Sequence, residues 1–394
     1  MAQEGGRKGG RTLHWEDWSP CTCGIHVAFS TAESIADAIV ELRAKLPDPS
    51  FSHLIAFFSP RHDPSDVVAC LTEAFPGTPF SGCTTSGEIT PTGNCCGSIQ
   101  LIAFEASRFR FVSAVIENAS CSGVEDASHL ARRLKTQICD QGNATNKFGL
   151  LLTDGLANHE ETLVAAVNWA LGDIQLIGGS AGDDLRFKDA ALIHNGGAVK
   201  DAAILMLVET DVPFHAFKTQ NFDPTPTKLV ITGADAERRI VHEFNAEPAA
   251  LEYANAIGLI PNDLGPFSFA SHPLVVKVGN DYYCRSIRNM NPDGSLSFFC
   301  AIDVGLVLTV ARPTDLAEAT EAKLAEVDKL LSGTQLILGF DCILRRLDAE
   351  NRQMGNRMET IYKRHKIVGF HTYGEQYNAM HLNQTLTGIA FGAP

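Results

Sequence analysis

The stretch GCTTSGEIT, residues 82–90, decides the fold because two relatives of it stand elsewhere in the chain. They are GGSAGDD at 178–184 and GFHTYGEQ at 369–376. Each follows an apolar run: SHLIAFFS (52–59) and the following helical stretch for the first, FGLLLTDG (148–155) for the second, TQLILGFD (334–341) for the third. Aligned on their glycines, the turns read Gly82 to Glu88, Gly178 to Asp183 and Gly369 to Glu375, with the middle copy one residue shorter. Phe57 to Gly82 and Thr153 to Gly178 are both 25 positions. A fixed spacing of this kind marks an internal repeat. The repeat reads strand–helix–strand–turn–strand.

Around this frame, AESIADAIVELRAKL (32–46) carries apolar residues at helical spacing, with Ser30 and Thr31 as capping candidates. Asp63 to Phe75 reads as a helix with Pro64 in its first turn. HEETLVAAVNWAL (159–171) and a segment near 349–365 read as the corresponding helices. Residues 272–313 alternate polar and apolar positions, with a turn at Pro292-Asp293-Gly294, and predict an inserted antiparallel meander. The fold class is α/β with mixed sheets. NFDPTPTK (221–228) is the candidate boundary, giving a leader at 1–23 and domains at 24–225 and 226–394.

Composition narrows the function. The chain has 394 residues, 45% of them apolar, and a net charge of −14 from 32 basic and 46 acidic residues. Neither a basic stripe for nucleic acid nor a polybasic membrane patch is present. No run of about 18 apolar residues occurs, which predicts no transmembrane helix and a cytoplasmic protein. The eleven cysteines are then expected as thiols. Cys21, Cys23, Cys95 and Cys96 leave a zinc or thiol redox sensor open, although zinc-finger spacing is absent. No P-loop is found, and the glycines at 178–182 miss the dinucleotide fingerprint. Cys83 sits in a tight turn but outside a G-x-S-x-G elbow, so no enzyme is predicted.

The turns suit a ligand clamp, lined by Cys83, Thr84, Thr85, Ser86, Glu88, Ser180, Asp183 and Glu375. The acids would receive a ligand amine, or equally the N–H groups of their own turns.

The segments GCTTSGEITPTG, FFSPRHDPSDVV, the run at 273–316 and GFHTYGEQYNAMHLNQTLTGIAFG together resemble the two halves of a FIST domain, over roughly residues 25–392. Within that family the likeness is greatest to the stand-alone nitric-oxide-sensing haem proteins called NosP. The resemblance implies a sensory module that regulates a histidine kinase or cyclic-di-GMP enzyme in trans, holding haem b and binding nitric oxide. It also implies a histidine ligand to the iron. His381 matches the H-x-N-Q-T pattern of the family; His371 and His194 are the other candidates, with Tyr373 and Met380 beside the pocket. Alternatives are a sensor of a small metabolite such as an amino acid, or zinc in place of haem. Pairing into a homodimer stays open.

Overall fold

The computed structural model describes residues 22–47, 50–118, 124–140, 146–279 and 281–394. The first unit runs β1 (Ile25–Ser30), α1 (Ile35–Lys45), β2 (Phe51–Phe58), α2 (Pro64–Ala74), β3 (Phe80–Thr84), a hairpin of β4 (Glu88–Thr90) and β5 (Gly93–Cys95), and β6 (Ile99–Glu105). The second runs β7 (Phe109–Ile116), α3 (Val124–Asp140), β8 (Asn146–Thr153), α4 (Glu160–Leu171), β9 (Gln175–Ser180), the hairpin β10 (Leu192–His194) and β11 (Gly197–Val199), and β12 (Ala203–Thr210). The third opens with β13 (Phe214–Gln220) and is then interrupted. The insertion holds β14 (Phe222–Asp235), β15 (Ile240–Phe244), β16 (Glu247–Pro248), α5 (Ala249–Ile257), α6 (Pro266–Ser271), β17 (Leu274–Val278), β18 (Asp281–Cys284), β19 (Ile287–Met290), β20 (Leu296–Phe298) and β21 (Val307–Pro313). The third unit resumes as α7 (Leu316–Leu330), β22 (Thr334–Cys342), α8 (Ile343–Asn351), α9 (Gly355–Arg364), β23 (Ile367–Thr372), the hairpin β24 (Glu375–Tyr377) and β25 (Met380–Leu382), and β26 (Thr385–Gly392).

Local chemistry explains the boundaries. Ser34, rather than Ser30 or Thr31, caps α1 by accepting the Asp37 N–H, and buries Ala38, Ile39 and Leu42 on one face. Asp63 caps α2 ahead of Pro64. The expected helix at 349–365 is two helices, α8 and α9. The prolines of 221–228 stand inside β14, whose pairing with β21 slips between Pro224 and Lys228. Cys23 is disulfide-bonded, which corrects the expectation of eleven thiols, and Cys21 lies outside the described residues.

The three units build three six-stranded sheets, and none builds its own alone. The orders are β1-β6-β2-β3-β10-β11, β7-β12-β8-β9-β24-β25 and β13-β26-β22-β23-β4-β5. In each, the last hairpin comes from another unit: the second lends to the first, the third to the second and the first to the third. The sheets turn their inner faces to one core holding Phe57, Leu150, Ile177, Phe340 and Phe370, with the Phe57 and Phe370 rings 4.5 Å apart. Helices cover the outer faces: Val67 and Leu71 on the first, Leu134 and Val164 on the second, Leu324 and Ile361 on the third. Burial on both faces is why β2 and β8 read as unbroken apolar runs. The insertion has a separate core around Phe244, Tyr253, Phe269 and Phe298.

The repeated turns meet one another in two closed rings of backbone hydrogen bonds. Ser86 N donates to His371 O (3.0 Å), Tyr373 N to Ser180 O (3.2 Å) and Gly182 N to Thr84 O (3.1 Å). Thr84 N donates to Ala191 O (2.9 Å), Ser180 N to Gly374 O (2.8 Å) and His371 N to Gly87 O (2.8 Å). These rings fix the true equivalences. Ala191 stands where Gly87 and Gly374 stand, so the middle turn is longer, not shorter: it carries an extra loop at 183–190. Strand register agrees, since Glu88 pairs with Phe370, Glu375 with Gly179 and Leu192 with Cys83. Leu192, not Asp183, therefore holds the place of the two glutamates.

Glu88 and Glu375 are fully buried and serve the turns. Glu88 accepts from the Thr85 hydroxyl and from the Ser98 N–H and hydroxyl. Glu375 accepts in the same way from Thr372 and Thr385. Burial pushes Glu88 up to about 7 and Glu375 up to about 8, against those hydrogen bonds.

The first glycine of each turn is required by close approach. A Cβ on Gly82, Gly178 or Gly369 would lie 2.1, 1.8 or 1.8 Å from the carbonyl oxygen of Ala56, Leu151 or Gly339 on the paired parallel strand. Gly178→Ala is expected to cost about 3 kcal/mol in denaturant unfolding, whereas Gly265→Ala, with open space around it, changes stability by less than about 1 kcal/mol. Equal effects would refute the packing argument.

The glutamates also predict a pH dependence. Each binds its proton more tightly folded than unfolded, so its contribution is complete below about 4.5 and is lost as pH rises through about 7 and 8. Denaturant midpoints should fall between pH 5 and pH 9. The Glu88→Gln, Glu375→Gln double variant should flatten that decline; an unchanged slope would assign it to other groups.

Candidate functional site

The two rings lie at the carboxyl ends of all three parallel strand pairs, where open α/β sheets place ligands. The side chains there are largely committed to one another. Thr84 Oγ1 accepts from Ala191 N, Thr85 binds Glu88, and Ser180 bonds Thr153 and Gln376. Ser86 is buried against Gly182, where a Cβ would lie 2.3 Å from its Oγ. Cys83 is fully buried, and burial lifts its thiol well above the usual range. Burial also acts to raise Asp183, but the Tyr373 hydroxyl and the N–H groups of Asp189, Lys188 and Phe187 outweigh it and hold the carboxyl low. Tyr373 is in turn used twice, since its oxygen accepts from Leu185 N, and its ring packs on Phe187 and Phe299.

The structure does not bring the three candidate histidines together. His381 is on β25 in the second sheet, His371 on β23 in the third and His194 on β10 in the first. His194 Nε2 is 2.9 Å from Ser113 Oγ. His371 Nε2 is 3.2 Å from Asn94 Oδ1, and its Nδ1 is 3.5 Å from Asp341 Oδ2. His381 Nε2 and His371 Nδ1 are both buried without a hydrogen-bond partner, and Gln376 Nε2 stands 3.5 Å from His381 Nδ1. The free nitrogen of His381 is turned to Gly374, where a Cβ would come within 2.5 Å. Burial lowers the His381 pKa, while Glu161, Glu160, Arg239 and Arg285 are all near enough for their charges to act on it. Met380 beside it is only partly buried. A haem needs an axial histidine opening onto an apolar slot. At His381 the free nitrogen is closed off by the Gly374 backbone and surrounded by charged side chains, a setting that does not suit an axial haem ligand. For zinc, no group of three or more His, Cys, Asp or Glu side chains is arranged for a metal among the described residues.

A cleft does open beside the first turn. It has a volume of about 200 Å³ and lies between α8, α9 and the exchanged hairpin β4–β5. Arg346, Glu350, Asn356, Glu359 and Asn94 give it a polar wall; Leu316, Ala349 and Met358 give it an apolar one. Gly355 and Asn356 open α9 and line the cleft, and Met354 at the N-cap position offers no side-chain acceptor, so no side chain caps the first N–H groups of this ten-residue helix. Arg346 is held from three sides: Nε donates to Glu350 (2.8 Å), Nη1 to the carbonyl of Ser86 (3.1 Å), whose N–H is in the first ring, and Nη2 to Cys96 Sγ (3.2 Å). Behind it, buried Arg345 donates to Asp341 (2.7 Å), Asn221 and Thr320, and Tyr362 donates to the second oxygen of Asp341. Sequence reasoning missed this wall. The signal available was Asp341 at a strand end with Arg345 four residues on, but pairing it with Asn94 requires the hairpin exchange.

The insertion closes over the second unit. Arg239 is buried and donates to Glu160 (2.7 Å) and Glu161 (2.6 Å) at the start of α4, and the Ala301 N–H reaches Glu161. No described helix is long and apolar enough to cross a membrane.

Comparison with known proteins agrees with this architecture. An uncharacterized protein of Methanocaldococcus jannaschii is 22% identical over 300 residues, covering 66% of this chain; the match spans 58% of that relative's own length. Residues 52–247 match the FIST N domain and residues 249–378 the FIST C domain. FIST domains are associated with the sensing of small ligands in signalling. With both domains present over most of its length, the chain belongs to the FIST family.

Proposed function

We propose that this protein is a sensor of a small zwitterionic metabolite, an α-amino acid being the simplest, and that it regulates a separate signalling enzyme such as a histidine kinase or a cyclic-di-GMP enzyme. One observation carries the reading: the cleft lining holds the Arg346 guanidinium, already paired with Glu350, and the start of α9, which no side chain caps, together with a second carboxylate, Glu359. A carboxylate is recognised by Arg346 and the helix start, and an ammonium by Glu359. The volume of about 200 Å³ lies below the range of about 300–1,000 Å³ typical of drug-sized ligands. The acids of the repeated turns, by contrast, are occupied by their own turns and leave no acceptor for an amine.

Haem b and nitric oxide sensing draw no support from the histidines. The notable feature of His381 is its buried free nitrogen, and that nitrogen has backbone in front of it.

Calorimetric titration with the common amino acids should find at least one that binds. Glu359→Gln and Arg346→Gln should each weaken it tenfold to a hundredfold, the worth of one charged hydrogen bond of about 1.5–3 kcal/mol. Haem added to the protein should keep the spectrum of free haem. A sharp Soret band that shifts with nitric oxide, with no amino acid bound, would overturn this reading.

A further inference from the structure

The adjacent cysteines at 95 and 96 are not used by the fold or by the proposed ligand, yet they sit on the guanidinium that lines the cleft. Cys96 is exposed, and Arg346 Nη2 donates to its sulfur at 3.2 Å. Cys95 is half-buried beside it. A second guanidinium guards the same turn: a Cβ on Gly97 would lie 3.2 Å from Arg61 Nη1, and the charge of Arg61 reaches Cys95. Reactive cysteines are exposed and neighbour a cationic side chain, and redox-sensing ones stand next to a resolving thiol. Other described thiols lack this combination. Cys83, Cys284, Cys300 and Cys342 are buried, Cys70 is half-buried beside the acids Asp66 and Glu73, and Cys139 is exposed at the end of α3.

We propose that Cys95 and Cys96 form a hydroperoxide-sensitive modification site that controls the cleft. The Cys96 thiolate attacks the distal peroxide oxygen, the O–O bond breaks, and sulfenate forms as water or an alcohol leaves with the proton. The Cys95 thiol then attacks the sulfenic sulfur, forming an S–S bond and releasing water. Arg346 and Arg61 stabilise the negative charge that moves from sulfur to the leaving oxygen. A disulfide between neighbouring residues forces the backbone from 94 to 97 to rearrange. That withdraws the Asn94 side chain from the cleft wall and removes the sulfur acceptor from Arg346, so ligand affinity falls. This last step rests on the amino-acid reading; the oxidation itself does not.

The test uses the full chain treated with hydrogen peroxide, with dimedone trapping and peptide mass mapping. Cys96 should oxidise before Cys139, with the 95–96 peptide losing two hydrogens. Cys95→Ser should accumulate dimedone-trapped sulfenic acid at Cys96. Arg346→Gln should slow the reaction roughly tenfold. Equal rates at Cys96 and Cys139, or a rate indifferent to Arg346→Gln, would overturn the site. Amino-acid affinity, titrated before and after oxidation, should fall about tenfold; unchanged affinity in fully oxidised protein would overturn its control of the cleft. Where no amino acid binds at all, the oxidation rates still decide the modification site.

Discussion

Six backbone hydrogen bonds hold three repeats in a closed circle, and the rest of the structure follows from that closure. Each ring runs from one unit to the next and back, so no unit can leave without breaking bonds to both neighbours. The exchanged hairpins add the same constraint at the scale of sheets. A sheet that lacked its borrowed hairpin would present β3, β9 or β23 as an unpaired edge, with N–H and C=O groups that need partners. The glycines at 82, 178 and 369 allow the parallel strands to approach closely enough for the rings to form.

Closure also explains why the turns are poor in free chemistry. Buried polar groups must be paired, and a ring with three copies of a turn concentrates many such groups at one point. Glu88 and Glu375 meet the demand in two units by accepting three hydrogen bonds each. The middle unit solves it differently: Leu192 removes the polar group, and the loop at 183–190 gathers its own amides onto Asp183. Symmetry is kept in the backbone and lost in the side chains, so the axis positions Ser86, Gly182 and Tyr373 have little in common chemically.

The sequence made the repeat legible because burial on both sheet faces and glycines at fixed distance are local signals. FIST membership was readable for the same reason, since ordered turns and strands carry it. The equivalence of the acids was not readable. Counting to the last glycine matched Asp183 to Glu88, whereas the true partner lies beyond a loop that only hydrogen bonding reveals. The insertion was seen from 272 onward, but its first strands escaped because β14 holds two prolines, and these sit where its pairing with β21 is interrupted. The histidines illustrate a further limit. Sequence placed them near glycine-rich turns; whether a ring nitrogen meets open space or backbone depends on contacts from other units.

The position of the cleft gives the exchange a functional meaning. Asn94 belongs to the first unit and Arg346, Glu350 and Glu359 to the third, so the polar lining comes from different parts of the chain and meets only because the hairpin crosses over. A ligand touching both Asn94 and the third-unit residues would add its interaction energy to the contact between units, not within one. Arg346 carries the effect inward, since the same guanidinium donates to Ser86 O, whose N–H belongs to the first ring. A ligand can shift a conformational equilibrium only by its difference in affinity between states. Arg346 thereby links the cleft to Ser86, a residue whose N–H closes the first ring between two units.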